Sequence, residues 1–249
     1  MTSIPCVSDH ASLPELRVLI TGASRGLGKG LCQSLLSAGA TVMALARSAQ
    51  DLAQLKEEHE NQTQAPGRLL VHAGSMLDTR SLETALHTME QATGGLDLLI
   101  ANAGVYGPYG TFQDVNAAEW EEALLINSLG LSRSCRSCIP ALAKSGRGQI
   151  IVIGSALGHQ HGQNCSAYCS SKAMSWSLVK CLSSDLAPLG IAVNELIPGP
   201  VNTAMNPGAS SQAACREPDD PAFLQLISYL WHLPGSKPSG QSFSLRSAP

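Results

Sequence analysis

Short apolar runs alternate along the chain with longer stretches whose apolar residues recur at helical spacing. LRVLITG (16–22), TVMALAR (41–47), RLLVHAG (68–74), LDLLIANAG (96–104), GQIIVIGS (148–155) and IAVNELIPG (191–199) read as six strands. Between them, GKGLCQSLLSAGA, SAQDLAQLKEEHENQ, SLETALHTMEQATGG and two long stretches over 116–142 and 166–187 read as helices. Gly39 ends the first helix, and Pro188 with Gly190 stops the fifth. Asn116 and Glu119 have the spacing of a capping box that opens the fourth. Strands apolar on both faces need cover on both faces. The alternation therefore predicts an α/β fold, a doubly wound parallel sheet between two layers of helices.

The chain changes character after Gly199. It is rich in Pro, Gly, Ala and Ser until DPAFLQLISYLWHLP, whose proline near the start and apolar body read as one more helix. GQSFSLR then reads as a last, short strand. The expected organisation is a loose N-terminal tail over 1–15 and a single domain over 16–249. A mobile segment near 204–219 could act as a lid over a substrate.

Charged residues make up 14% of the chain, against roughly 25% in a typical soluble domain. So few charges imply extensive cover, in a large core or against other subunits. A net charge of -3 argues against nucleic acid, which needs a basic stripe. No apolar run is long enough to span a membrane. The first residues lack the basic and apolar regions of a signal peptide, so the expected location is cytoplasmic. The eight cysteines stand singly except Cys135 and Cys138, which fits reduced thiols rather than a disulfide framework. That Cys-x-x-Cys pair lies in mid-helix with no second pair, so it reads as helix packing and not as metal ligation.

Two stretches carry candidate chemistry. In TGASRGLG (21–28), a strand runs into a turn with Gly22, Gly26 and Gly28 and then opens a helix. Glycines there allow a tight turn and let backbone N–H groups and the helix N-terminus approach a pyrophosphate. In AYCSSKAMSW (167–176), Tyr168 and Lys172 stand four residues apart, on one face of a helix. A phenol titrates near 10. A neighbouring ammonium favours its phenolate, so Lys172 is expected to lower the Tyr168 pKa.

With these motifs in hand, the chain resembles the short-chain dehydrogenase/reductase family over roughly residues 16–245. TGASRGLG is similar to the family's nucleotide turn, and ANAG (101–104) to its Asn-Asn-Ala-Gly motif with Ala101 replacing the first Asn. Asn127, Ser155, Tyr168 and Lys172 match its catalytic tetrad in type and order, and PGPVNT (198–203) matches the segment after its sixth strand. The interval from Ser155 to Tyr168 is similar to that of the 3-oxoacyl-carrier-protein reductases within the family. The resemblance implies a Rossmann-type fold in three layers, α/β/α. It implies that Tyr168 is the general acid/base, that Ser155 steadies the substrate oxygen, and that Lys172 also holds the nicotinamide ribose. Asn127 would hold a water that links Lys172 to solvent. Gly22, Ser24, Arg25, Gly26, Leu27, Gly28, Arg47, Asn102, Ala103, Gly104, Pro198, Gly199, Val201 and Thr203 would hold the cofactor with Tyr168 and Lys172.

The strand that should end in an acid for NAD ends instead in Ala46 and Arg47. With Arg25 in the glycine turn, two arginines and no carboxylate favour NADP (NADPH), with NAD the alternative. Ser75 stands where the family usually has an adenine-contacting Asp, and Asp78 reads as a helix cap. The implied activity is hydride transfer between NADP(H) and a ketone or secondary alcohol. A dehydratase, an epimerase or a regulatory nucleotide-binding protein is the alternative. Substrate contacts are expected from the loops 105–110 and 156–166 and from the segment after Thr203. Tyr106 and Tyr109 would shape the entrance, and His159 and His161 would line the pocket. Two histidines without a nearby acid are not expected to bind metal. Arg133, Arg136, Lys144 and Arg147 are candidates for docking a carrier-protein-bound substrate. The resemblance also implies a homodimer or homotetramer.

Overall fold

The computed structural model describes residues 12–62, 65–205, 215–233 and 237–245. Among the described residues seven strands, all parallel, form one sheet: β1 (Arg17–Thr21), β2 (Thr41–Ala46), β3 (Arg68–Ala73), β4 (Leu98–Ala101), β5 (Gln149–Ile153), β6 (Ala192–Ile197) and β7 (Ser242–Ser244). Their order is β3-β2-β1-β4-β5-β6-β7. The chain winds outward from β1 to β3 and then restarts at β4 on the other side of β1. The crevice between β1 and β4, at the carboxyl ends of the strands, is where such sheets bind ligands.

The α-helices of the described residues that cover the sheet are α1 (Gly26–Ser37), α2 (Ala49–Asn61), α3 (Thr79–Thr93), α4 (Ala117–Leu124), α5 (Leu131–Ser145), α6 (Ser166–Asp185) and α7 (Pro221–His232). Alternate residues of one strand enter different cores. Val18 and Ile20 of β1 pack with Leu31 and Leu35 of α1 and Phe223 of α7. Leu19, between them, packs with Leu82 of α3, Cys138 of α5 and Val179 of α6. This two-sided burial is why the inner strands β1, β2, β4 and β5 are apolar on both faces.

Local chemistry sets the helix ends. Ser48, Asp78, Asn116 and Asp220 each accept a hydrogen bond from a first-turn N–H of the helix that follows. Asp78 is thus a cap, as its position predicts. The stretch read as one helix over 116–142 holds a surprise. Between α4 and α5 the backbone widens into a π-helical turn, Leu125–Gly130. Such a turn absorbs one extra residue without breaking the helix, and here it contains the buried Asn127.

Opposite the crevice, Asp97 is fully buried before β4. Arg17 grips it with Nε to Oδ2 and Nη2 to Oδ1, both at 2.7 Å, and Ser145 Oγ donates to Oδ1. Burial pushes the Asp97 carboxyl up, but the hydrogen bonds from Arg17 and Ser145 outweigh it and hold the group below its usual range. Residues 1–11 of the expected tail lie outside the described residues. Leu13 is buried, and its N–H donates to Ala38 O at 2.6 Å. Of the expected lid, 206–214 lie outside the described residues. Its C-terminal flank is anchored by a bridge between Val201 and Arg216 and an ion pair from Arg216 to Asp220 at 2.7 Å.

Cys135 and Cys138 face the core from α5. Burial pushes the Cys135 thiol up to about 12 and Cys138 higher still, which leaves both unreactive at neutral pH.

Candidate active site

The glycine turn spans the gap from β1 to α1. Gly22 and Gly26 adopt left-handed φ values of 69° and 52°. A Cβ on Gly28 would lie 2.2 Å from Gly22 O and 2.5 Å from Asn102 Nδ2, so only glycine fits there. Arg25 is the N-cap of α1 but provides no side-chain cap, and the first turn holds no acid. The leading N–H groups of α1 therefore face the crevice with no carboxylate to repel an anion. These features fit a dinucleotide pyrophosphate.

Asn102 follows β4 and braces this turn. Its Nδ2 donates to Thr21 O at 3.0 Å and Gly22 O at 3.1 Å, and the N–H groups of Asn102 and Ala103 donate to Thr21 Oγ1. The Asn102 amide is thus spent on the turn itself. Ser24 lies within the turn, Leu27 stands in the first turn of α1, and Gly104 abuts Asn127. From the far side of the crevice, after Pro198 and Gly199, the Thr203 methyl comes within 3.2 Å of where a Gly26 Cβ would stand. Val201 is held by its bridge to Arg216. Ala46 ends β2 beside β1, and Arg47 follows it, exposed.

The second group gathers at the end of β5. Ser155 starts a short 3-10 turn, Ala156–Gly158, and accepts a hydrogen bond from Leu157 N–H at 3.2 Å. Tyr168 and Lys172 come one turn apart from α6. Tyr106 stacks on Tyr168 with ring centroids 4.7 Å apart, whereas Tyr109 is exposed. Lys172 is buried, and its Nζ donates to Ile153 O at 2.7 Å while lying 5.7 Å from the Tyr168 ring centroid. Burial pushes Lys172 from 10.5 down to about 8, and Glu195 opposes that fall.

The expected lowering of the Tyr168 phenol is not what the ligand-free protein holds. Burial pushes it up, the Ser155 hydroxyl pulls it the other way, and the thiols of Cys169 and Cys165 add to the rise. The ammonium that should act on it is committed to the Ile153 carbonyl. Cys169 follows Tyr168 on α6, and its Sγ touches Cys165 Sγ at 3.5 Å.

Asn127 reaches the same region from the π-helical turn. Its Oδ1 accepts from Val105 N–H at 2.8 Å, and its Nδ2 donates to Val105 O at 2.8 Å and Ser171 Oγ at 3.0 Å. A cavity of about 10 Å³, lined by Thr21, Asn127, Ile153, Lys172 and Ser175 among others, lies beneath it. That is the space of one water.

His159 does not line the pocket free of an acid, as the sequence suggested. Its Nε2 meets Glu195 Oε2 at 2.7 Å, and its ring leans on Trp176 at 4.7 Å. Glu195, on β6, was invisible as a site residue because its partner stands 36 positions away. No group of three or more potential metal ligands occurs among the described residues. No helix among them is long and apolar enough to cross a membrane.

Comparison with known proteins follows the same lines. The family model described as short chain dehydrogenase matches residues 17–214. Dehydrogenase/reductase SDR family member 4 of Mus musculus is 28% identical over 185 residues, 74% of this chain but 65% of that protein. The chain thus spans just under two thirds of that relative's length. A 3-oxoacyl-acyl-carrier-protein reductase of Vibrio harveyi is 30% identical over 188 residues, 75% of this chain and 74% of its own. The solved structure of a 3-oxoacyl-acyl-carrier-protein reductase with bound NAD from Brucella melitensis is 26% identical. It superposes with a TM-score of 0.81, covering 95% of this chain and 91% of that one.

Proposed function

Because the chain belongs to the short chain dehydrogenase family, we propose that it is an NADP(H)-dependent oxidoreductase acting on a ketone or secondary alcohol, with Tyr168 as general acid/base. The observation that carries this reading is the meeting of Ser155, Tyr168 and Lys172 at the end of β5, across the crevice from an uncapped, acid-free helix N-terminus. The bound nicotinamide would supply or accept the hydride.

The chain's own residues handle the oxygen and its proton. Tyr168 gives its phenolic proton to the oxygen of a ketone, or takes one from an alcohol. Ser155 donates a hydrogen bond to the same oxygen as negative charge develops there. Lys172, as a cation, favours the phenolate left behind and can hold the nicotinamide ribose. Asn127 borders the one-water cavity next to Lys172, which suits a relay from Lys172 toward solvent. Tyr106 and the Cys165–Cys169 pair narrow the approach to Tyr168.

Preference for NADP rests on Arg25 and Arg47 flanking the crevice and on Ala46 at the position of the missing acid. A free carbonyl compound suits the site better than a carrier-bound one. Lys144 pairs with Glu90, Arg147 pairs with Glu15 and stacks on Trp231, and Arg133 holds Leu77 O. Lys144 and Arg147 precede β5, at the amino ends of the strands, opposite the site. Exposed Leu125, Leu129 and Met174 support pairing with a second copy as a homodimer, or two pairs as a tetramer. A cytoplasmic setting fits the buried thiols of Cys32, Cys135 and Cys138.

The test is NADPH oxidation against a panel of ketones and aldehydes by the protein and by Tyr168→Phe. The reading predicts that the variant loses turnover by a factor on the order of 10³ and still binds NADPH. Retained turnover in Tyr168→Phe would sink it.

A further inference from the structure

Outside the residues used above, one buried charge lacks a role. Glu195 sits in the middle of β6 with its side chain fully buried. Its Oε2 accepts from His159 Nε2 and from Ser242 Oγ of β7. Its Oε1 has no hydrogen-bond partner. A buried carboxylate is costly, and one with an unmatched oxygen more so. A strand residue that only filled space there would be apolar.

The position of that bare oxygen matters. A Cβ on Gly154 would lie 1.9 Å from Oε1, so the carboxylate rests directly on the Gly154 backbone. The carbonyl of the preceding residue, Ile153, holds the Lys172 ammonium. Carboxylate and ammonium therefore sit on consecutive residues at the end of β5, without a direct ion pair. The groups facing Glu195 are few. His159 comes from the loop after β5, Lys172 from α6 and the Ser242 hydroxyl from β7, while Val152 of β5 lies beside it in the sheet. Lys180, further along α6, is occupied by Gly240 O and the Trp176 ring.

We propose that Glu195 is a positioning residue of the reaction centre: its buried carboxylate is the counter-charge that keeps Lys172 protonated, and His159 ties that carboxylate to the loop that begins at Ser155. The inference rests on the role given to Lys172 above. Two unit charges in a site shielded from water interact strongly even without contact. Burial alone lowers Lys172, and Glu195 raises it back toward its ordinary value of 10.5, leaving it at about 8. The cation is present below about 8 and is lost as the pH climbs through that value. Removing the carboxylate moves this loss to lower pH.

The test reads Lys172 in the free protein, by the ¹³C shift of its Cε during a pH titration, assigned by its absence in Lys172→Met. Glu195→Gln keeps the shape and removes the charge. Its Lys172 should titrate lower by about one pH unit, and the alkaline limb of the turnover profile should move with it. Glu195→Asp, which keeps the charge, should restore titration close to the parent. Where Glu195→Gln does not fold, His159→Arg on the partly exposed loop neutralises the carboxylate from outside and should lower the titration in the same way. An unchanged Lys172 titration in whichever of the two folds overturns the proposal. Turnover retained by Tyr168→Phe would instead overturn the functional reading and leave this titration intact.

Discussion

Lys172 shows what a reaction centre costs. Its native pKa, about 8, lies below the ordinary 10.5, so the native state disfavours the charged form. The buried ammonium therefore lowers stability below about 8, and the penalty fades as pH rises toward 10.5. Full depression corresponds to about 3 kcal/mol. Lys172→Met gives up the hydrogen bond to Ile153 O and should still unfold at higher denaturant near neutral pH, with a net gain of about 1–3 kcal/mol. That gain should shrink in alkaline buffer. A variant less stable than the parent at neutral pH would show that the lysine is a structural asset. At this scale the sequence was legible where chemistry is local. Tyr168 and Lys172 share a helix face, and Gly28 shares a turn with Gly22. It was not legible where partners are distant. Nothing in IAVNELIPG announces that Glu195 meets His159 from another strand's loop, because that contact exists only once β5 and β6 pair.

Elements were read well, since two-sided apolar strands and capped helices each leave a local signature. The exception is instructive. A π-helical turn inserts a single residue into a continuous apolar pattern, so 116–142 reads as one straight helix although its backbone widens around Asn127. The element scale also holds a buried electrostatic tie at the amino ends of the strands, away from the site. Arg17 of β1 and Ser145 of α5 converge on Asp97 before β4. Arg17→Met leaves a buried carboxylate without its cation and should cost about 3–5 kcal/mol in denaturant unfolding. The pH sign is set by Asp97. Its native pKa lies below the ordinary 3.8, so the tie contributes fully above that value and is lost as pH falls through the native one. Arg17→Met should accordingly begin acid unfolding at a higher pH than the parent. Equal acid midpoints in the two proteins would contradict this assignment.

At the scale of the molecule, the sheet order dictates where chemistry can happen. The winding reverses between β1 and β4, and the glycine turn, Ser155 and Thr203 all leave the carboxyl ends of strands around that point. The alternating elements made a doubly wound parallel sheet legible, but the strand order, and with it the place of the reversal, is set by which strands pair in the folded chain. The basic residues show the reverse case. Arg133, Arg136, Lys144 and Arg147 look like one patch in sequence, but the fold sends Lys144 and Arg147 to the amino ends of the strands, away from the site, and gives each an acidic partner. The central claim is that this crevice takes NADPH. Fluorescence titration of the purified protein with NADPH and with NADH tests it most directly. The account predicts saturable binding of NADPH at least about tenfold tighter than NADH, a difference near 1.4 kcal/mol, lost in Arg47→Ala. Tighter binding of NADH, or no binding of either nucleotide, would contradict it.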